Sequence, residues 1–430
     1  MDTRTALALA RFGLGRCPAE EVPRDPVAWL AAQLDAPPPW DGPPMPTAAE
    51  GLRALRDDRA AQRAGLPGGA GRALLHRGAD AATSALLGTA APLRERLVWV
   101  WANHFTVSRR RPMLAPLVFP YVQEAIRPHA TGRFADLLLA VVRHPAMLLY
   151  LDLALSVGPD SPAGQRRRRG LNENFARECL ELHTVGRDAG YTQADVTEFA
   201  AALTGWSIDR DGAAPGFAFF PARHQPGEKT VMGRRVAEGE EGGVAFLRWL
   251  ATHPATYRRL AARLAQHFIA DEPPAGAVGH IAGVLAATGG DLAAAMRAVL
   301  AEPAAWQGAG KLRAPFDYAV AVLRALDLPP ARRPSLLSVT GALGQPWLDA
   351  PLPDGWSDQA AAWNDGELLL RRADWAFAVA GRAEAVEPLD LAAATLGPLC
   401  DATTAGALRQ AGSRREALAL LFATPAFFRR

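Results

Sequence analysis

Five ionisable side chains stand where the surrounding sequence is apolar: His104, His144, Asp152, Glu178 and His183. The richest stretch is LNENFARECLELHTVGRDAGYTQADVTEFAAALTGW, residues 171–206. At roughly 100° per residue, Phe175, Ala176, Cys179, Leu180 and Leu182 share one arc of a helix, and His183 lies near its middle. Asn174, Arg177, Glu178 and Glu181 fall on the other side, with Glu178 at the border. His104 lies on the stripe formed by Leu93, Leu97, Val100 and Trp101. His144 follows LLLAVVR at a corner, and Asp152 sits inside MLLYLDLALS. An isolated charge in such surroundings is costly, so each of these groups needs a partner. If they converge, they can ligate a metal or act as acid and base. If they do not, they are separate core polars, and Arg177–Glu181 is an ordinary i,i+4 pair on a wet face.

A second stretch, HQPGEKT at 224–230, places His224 beside Lys229, one of only two lysines in the chain. A loop on a helical scaffold is a common place for recognition, although a solvated lysine in a surface turn fits the same residues. Asn174, Arg177, Glu181, His224 and Lys229 are therefore the candidate binding residues. No HExxH, P-loop or GxSxG pattern occurs, so the sequence specifies no metal, cofactor or nucleophile. Trp99 and Trp101 lie about 200° apart on a helix, which suits packing and not a stacking platform.

The elements that must position these groups are helical. Apolar periodicity predicts helices over 4–12, 26–34, 48–64, 92–105, 116–127 and 133–143. A helix over 172–185 is capped by Asn172 and closed by Gly186. A second begins at Thr192, whose capping-box partner is Asp195, and ends at Gly205. Further helices are expected over 241–251, 254–268, 275–287, 291–301, 314–326, 366–382, 389–396, 402–411 and 414–423, the last with Ser413 and Glu416 in a second box. Pro37–Pro46 reads as a stiff loop, 206–236 as a small β-hairpin or irregular insertion, and the Pro/Gly-rich 328–358 as a long surface connection. Four x-Pro-Ala corners, at His144, His253, Glu302 and Thr424, join one helix to the next. The expected fold is all-α, a multi-helix globular bundle. Its regions are a helical 1–90, a core over 91–205 with the signature helix pair, the insertion 206–240 and a helical 241–430, forming one continuous unit.

Apolar residues make up 49% of the 430 and charged residues 21%, the balance of a globular chain. A net charge of +3 is too mild for a nucleic-acid binder, and the basic run Arg166–Arg169 reads as a loop feature. Cys17, Cys179 and Cys400 are too scattered for a disulfide framework or a CxxC site. The apolar run Ala6–Ala10 is too short for a secretory segment, and no stretch approaches the ~18 residues of a membrane span. The expected compartment is the cytoplasm, unless a partner carries the chain out.

Residues 171–206 resemble the signature segment of a bacterial family catalogued as domain of unknown function 1800. RFGLG at 11–15, WANHF at 101–105, HPAMLLYLD at 144–152, HQPGEKT at 224–230, HPAT at 253–256 and LPDGWSD at 352–358 resemble its pattern in order. The chain departs from it at Gln225, where the family tends to carry Asp, and at Leu153, where it tends to carry Asn. The resemblance implies a mostly helical protein without an established activity. It also implies a gene neighbour of the domain of unknown function 1501 type, similar to alkaline phosphatases and often bearing a twin-arginine export signal. Two functions follow as expectations. The first is an accessory protein that binds such a neighbour; the second is an enzyme with a buried His/carboxylate or metal-assisted site.

Overall fold

The computed structural model describes residues 1–35, 42–167, 170–210, 212, 215–308, 310–383 and 385–430. The protein is all-α, with 22 α-helices among these residues and two two-stranded antiparallel hairpins. Part of the Pro37–Pro46 loop and Arg168–Arg169 of the basic run lie outside the described residues; Arg166 sits in a short helix, Pro162–Arg167.

Proline punctuates the fold. His144, His253 and Thr424 each cap a helix that has proline in its first turn, and Glu302 precedes a 3-10 turn, Pro303–Trp306. At two of these corners the cap is an imidazole. His144 Nδ1 accepts from the Ala146 N–H at 3.1 Å and His253 Nδ1 from the Ala255 N–H at 3.2 Å. Each ring thereby satisfies a donor that the first helical turn leaves without a partner. The Thr192–Asp195 capping box forms in full. At Ser413 only half of it forms, because Glu416 turns its carboxylate to the Gly412 N–H.

Three helices frame the interior: α1 (Pro92–His104), α2 (Pro254–Phe268) and α3 (Pro315–Leu326). α1 is buried almost all round, including Arg94, Glu95, Arg96 and His104, so it runs through the core. α2 buries an apolar face with Tyr257, Leu260, Leu264 and Phe268, and α3 is buried along most of its length. The insertion is two hairpins. β1 (Trp206–Asp209) pairs with β2 (Gly216–Phe219), and β3 (Lys229–Val231) with β4 (Arg234–Val236).

Three expectations need correction. The helix expected over 172–185 starts at Asn174, and its second half, Cys179–His183, is a π-turn. Asn172 Oδ1 still accepts the Asn174 N–H, at 2.9 Å, and Gly186 closes the turn at φ +86°. The stretch 328–358 is not a surface connection. Its apolar residues Leu336, Leu337, Val339 and Leu343 drive a helix, Leu336–Ala342, against α3, and Trp347 is buried. Arg109 fastens this stretch to the end of α1, its N–H donating to the Leu348 carbonyl at 2.8 Å and its Nε to that of Trp347 at 3.0 Å. An unanticipated helix, Ala70–Gly88, follows the glycine-rich break.

Residues far apart in sequence close the core. Arg11 is fully buried and donates to the Ala305 and Gln307 carbonyls. Arg324, also buried, donates to the Gly15, Leu86 and Leu87 carbonyls. Residues 311–313 run antiparallel to 428–430, with Lys311 and Arg430 exchanging two backbone bonds at 2.9 Å.

Candidate functional site

The sequence candidates separate into several places. His104 and His183 meet, ring centroids 6.3 Å apart, among Phe105, Phe134 and Phe175. His104 Nε2 lies 3.1 Å from the His183 carbonyl. A carbonyl only accepts, so His104 carries its proton on Nε2. Burial holds the His104 pKa well below the usual value and takes His183 down to about 3. Both are neutral at pH 7, and neither nitrogen of His183 has a protein partner.

The other three stand apart from this pair. His144 is spent on its corner and on Glu124, 3.3 Å from its Nε2. Asp152 takes a left-handed backbone, φ 60°, and pairs with Arg111 at 3.0 Å. Glu178 is half-buried; burial and then the Glu181 charge raise its pKa. Arg177 braces Glu173 at 3.2 Å and Gln193 at 2.8 Å, and Glu181 pairs with Arg187 at 2.9 Å. These contacts tie the signature helix pair together. Asn174 gives the backbone N–H that Asn172 caps.

In the HQPGEKT loop, His224 donates from Nδ1 to the Thr204 carbonyl at 2.8 Å and accepts the Gly239 N–H on Nε2 at 2.9 Å. Lys229 turns inward and donates to the Gln225 and Gly227 carbonyls. Lys229 holds the loop's own backbone, and His224 ties the loop to the backbone on either side of it. Among the described residues no three His, Cys, Asp or Glu side chains are grouped to hold a metal ion.

The strongest convergence of reactive groups lies elsewhere, at a cavity of about 100 Å³ between α1, α2, the start of α3 and residues 345–358. Its polar wall holds His267, Asp358, Arg96, Asp317, Asn103 and Gln345; Trp99, Phe316, Trp347 and Trp356 are the aromatic part. His267 Nδ1 is 2.7 Å from Asp358 Oδ1. The carboxylate fixes the proton on Nδ1 and leaves Nε2 as a lone pair, with the Arg96 guanidinium 3.5 Å away. Burial lowers the His267 pKa to about 4, with Arg430 adding to the effect. Burial pushes Asp358 upward, but His267 and the Arg263 and Lys311 charges outweigh it and hold the carboxyl well below its ordinary range.

Beside this dyad Asp317 takes two guanidinium groups, Arg96 at 2.9 Å and Arg430 at 3.0 Å. They overcome the upward push of burial and keep it ionised. Lys311 reaches Asp271 at 2.8 Å, and Asp271 accepts the Ala360 N–H at 2.8 Å.

One clamp positions the loop that carries Asp358. Asn103 Nδ2 donates to the Trp356 carbonyl and Asn103 Oδ1 accepts the Trp356 N–H, both at 2.8 Å. The backbone turns at Gly355, φ +82°, where an added Cβ would lie 2.5 Å from the Asn103 carbonyl. Only glycine combines that φ with that approach. WANHF and LPDGWSD, far apart in the sequence, are thus one structural unit.

The arrangement offers a neutral imidazole oriented by a carboxylate, the form required of a proton acceptor, beside an aromatic recess. Sequence reasoning does not single out His267 or Asp358. Arg259, Arg263 and His267 recur at i,i+4 along α2, a polar line beside its buried apolar face, and that is the one signal the sequence offers. No curated protein and no solved structure matches the chain. The family model described as a protein of unknown function (DUF1800) matches residues 7–429, which include both halves of the clamp and the dyad, and the chain belongs to that family.

Proposed function

We propose that the protein binds a small molecule in the cavity beside His267 and that the His267–Asp358 dyad moves a proton on it. The observation that carries this reading is the oriented dyad, His267 Nδ1 to Asp358 Oδ1 at 2.7 Å, in the wall of an aromatic cavity. This is an enzyme reading, with acid–base chemistry at its centre. The test is a nuclear magnetic resonance screen of small ring-bearing acids, alcohols and amines, followed by turnover assays of the binders. His267→Gln and Asp358→Asn abolish turnover while leaving the fold intact. If no compound binds at millimolar concentration, or turnover survives His267→Gln, the reading fails.

A second reading, an accessory protein that docks on an alkaline-phosphatase-like partner, is supported by exposed apolar side chains. Leu352 is 59% exposed on the loop that closes the cavity, and Leu370 is 67% exposed. No helix among the described residues is long and apolar enough to cross a membrane. In this reading the complex is exported on the partner's signal. Co-expression with the partner and pull-down tests it. Failure to co-purify at micromolar concentration removes it.

A further inference from the structure

One helix sorts its charges by face. On Ala48–Arg63, at roughly 100° per residue, Arg56, Arg59 and Arg63 fall within an arc of about 60°. Glu50, Asp57 and Asp58 lie about 130–150° from the middle of that arc. Two of these carboxylates are engaged elsewhere. Glu50 belongs to the Thr47 capping box and pairs with Arg77 at 2.6 Å. Asp58 accepts the Gly69, Ala70 and Gly71 N–H groups at 2.7, 2.9 and 2.9 Å. Arg56 has Asp57 at 3.7 Å, with both side chains more than half exposed. Arg59 and Arg63 have no hydrogen-bond or ion-pair partner among the described residues.

The three arginines line a recess of about 220 Å³. Leu52, Leu55, Met113 and Leu149 make its apolar surface, and Arg210, just past β1, is its fourth cation. Among the described residues no carboxylate lines it. Leu52 and Leu149 are buried, Leu55 and Met113 half-buried, and all four arginines exposed, so an apolar floor lies under a cationic rim. The volume exceeds the ~150 Å³ void that takes one benzene, so the recess admits one large apolar side chain. Four like charges at one opening repel one another, and an anion brought between them relieves that repulsion.

We propose that this groove docks an acidic amphipathic helix of a partner protein. The arginine row sets the geometry: Arg56, Arg59 and Arg63 stand about 4.5 and 6 Å apart along the helix axis. A second helix laid alongside presents carboxylates at i, i+3 and i+7 with the same rise, and a leucine on that face enters the recess. Met113 suits such a seat, because an unbranched thioether adjusts to the shape of what enters. The lining has no aromatic ring on which a nucleobase stacks, which separates it from a single-stranded nucleic-acid groove. None of these residues lines the His267 cavity, so neither reading of function given above rests on this groove.

The experiment titrates the full chain by calorimetry with a blocked, alanine-based peptide of about 15 residues, long enough to be helical. It carries glutamates at i, i+3 and i+7 and a leucine at i+4. The peptide binds at about 10 mM salt and more weakly at about 150 mM, where surface charges are screened. Arg59→Gln combined with Arg63→Gln lowers the affinity about fivefold. Ala60→Glu, which sets a carboxylate in the lining, lowers it at least as much. Both variants unfold at the temperature of the parent chain, since the positions are exposed. Glutamine in place of the peptide's glutamates, or alanine in place of its leucine, weakens binding about tenfold. Unchanged affinity in both protein variants overturns the site. A glutamine peptide that binds as well overturns the acidic partner, and an alanine peptide that binds as well overturns the apolar anchor. Binding of anionic phospholipid vesicles without binding of the peptide assigns the arginines to a membrane surface and overturns the helix. No peptide binding at about 1 mM overturns the docking groove altogether.

Discussion

Asn103→Ala should cost more than its half-buried position suggests. The side chain makes two 2.8 Å bonds, both to the backbone of Trp356. Removing it leaves a peptide N–H and a carbonyl without their partner. Each such group costs about 1–3 kcal/mol when buried. Trp356 is only half-buried, so water recovers part of this, and the expected loss is about 2–4 kcal/mol. Asn103→Asp should fall between, since it keeps the acceptor for the N–H and sets a carboxylate against the carbonyl. Urea unfolding with an unchanged m-value measures the loss. The second readout is the His267 ring. If the clamp holds Asp358 in place, Asn103→Ala also moves the His267 titration, followed by exchange of its C2 proton. A loss below about 0.5 kcal/mol with an unmoved His267 refutes the reasoning, because surface substitutions already cost that much.

Gly355→Ala should cost about 2–4 kcal/mol, from the left-handed backbone and the 2.5 Å approach to the Asn103 carbonyl, read by the same unfolding assay. Stability should fall on acidification. His267 and His183 titrate at about 4 and about 3 in the folded chain, against about 6.5 unfolded, so the unfolded chain binds more protons over that interval. Their contribution is complete above about pH 6.5 and lost as pH falls through the folded values, on the order of 3 kcal/mol for His267 by pH 4; a flat profile from pH 7 to 4 contradicts this. His183→Leu should be neutral or stabilising at pH 7, since it removes two unpartnered nitrogens from an aromatic pocket, and a loss of several kcal/mol would mean that the ring has a partner after all. Lys229→Met should free the Gln225 and Gly227 carbonyls and speed hydrogen exchange in 224–230, with little change elsewhere.

The helices are legible because periodicity and caps agree. Thr192 with Asp195 and the proline corners fix boundaries to within a residue or two. The histidines at 144 and 253 carry less information: a cap and a catalytic group look alike in a string. The π-turn at Cys179–His183 leaves no mark, since it differs from an α-helix only in which carbonyl each N–H reaches. Composition misleads at 328–358. Proline and glycine there shape the walls around Trp347 and Trp356, and reading them as surface linker hides Asp358. The dyad itself joins residues 91 positions apart. No local pattern pairs them; only the polar line on α2 announces that something opposite has to answer His267.

The clamp has a consequence for the order in which the protein is assembled. Asn103 and Trp356 are 253 positions apart, and Arg324 reaches back 309 positions to Gly15. When α1 leaves the ribosome, Arg96 has not met Asp317, and Trp99 has met neither Phe316 nor Trp347. The wall of 345–358 and residues 311–313, which themselves wait for 428–430, arrive only later. Such long-range closure slows folding and leaves apolar surface open meanwhile. The cavity is therefore among the last features to form, and shortened chains ending before residue 358 lack the dyad along with one whole wall.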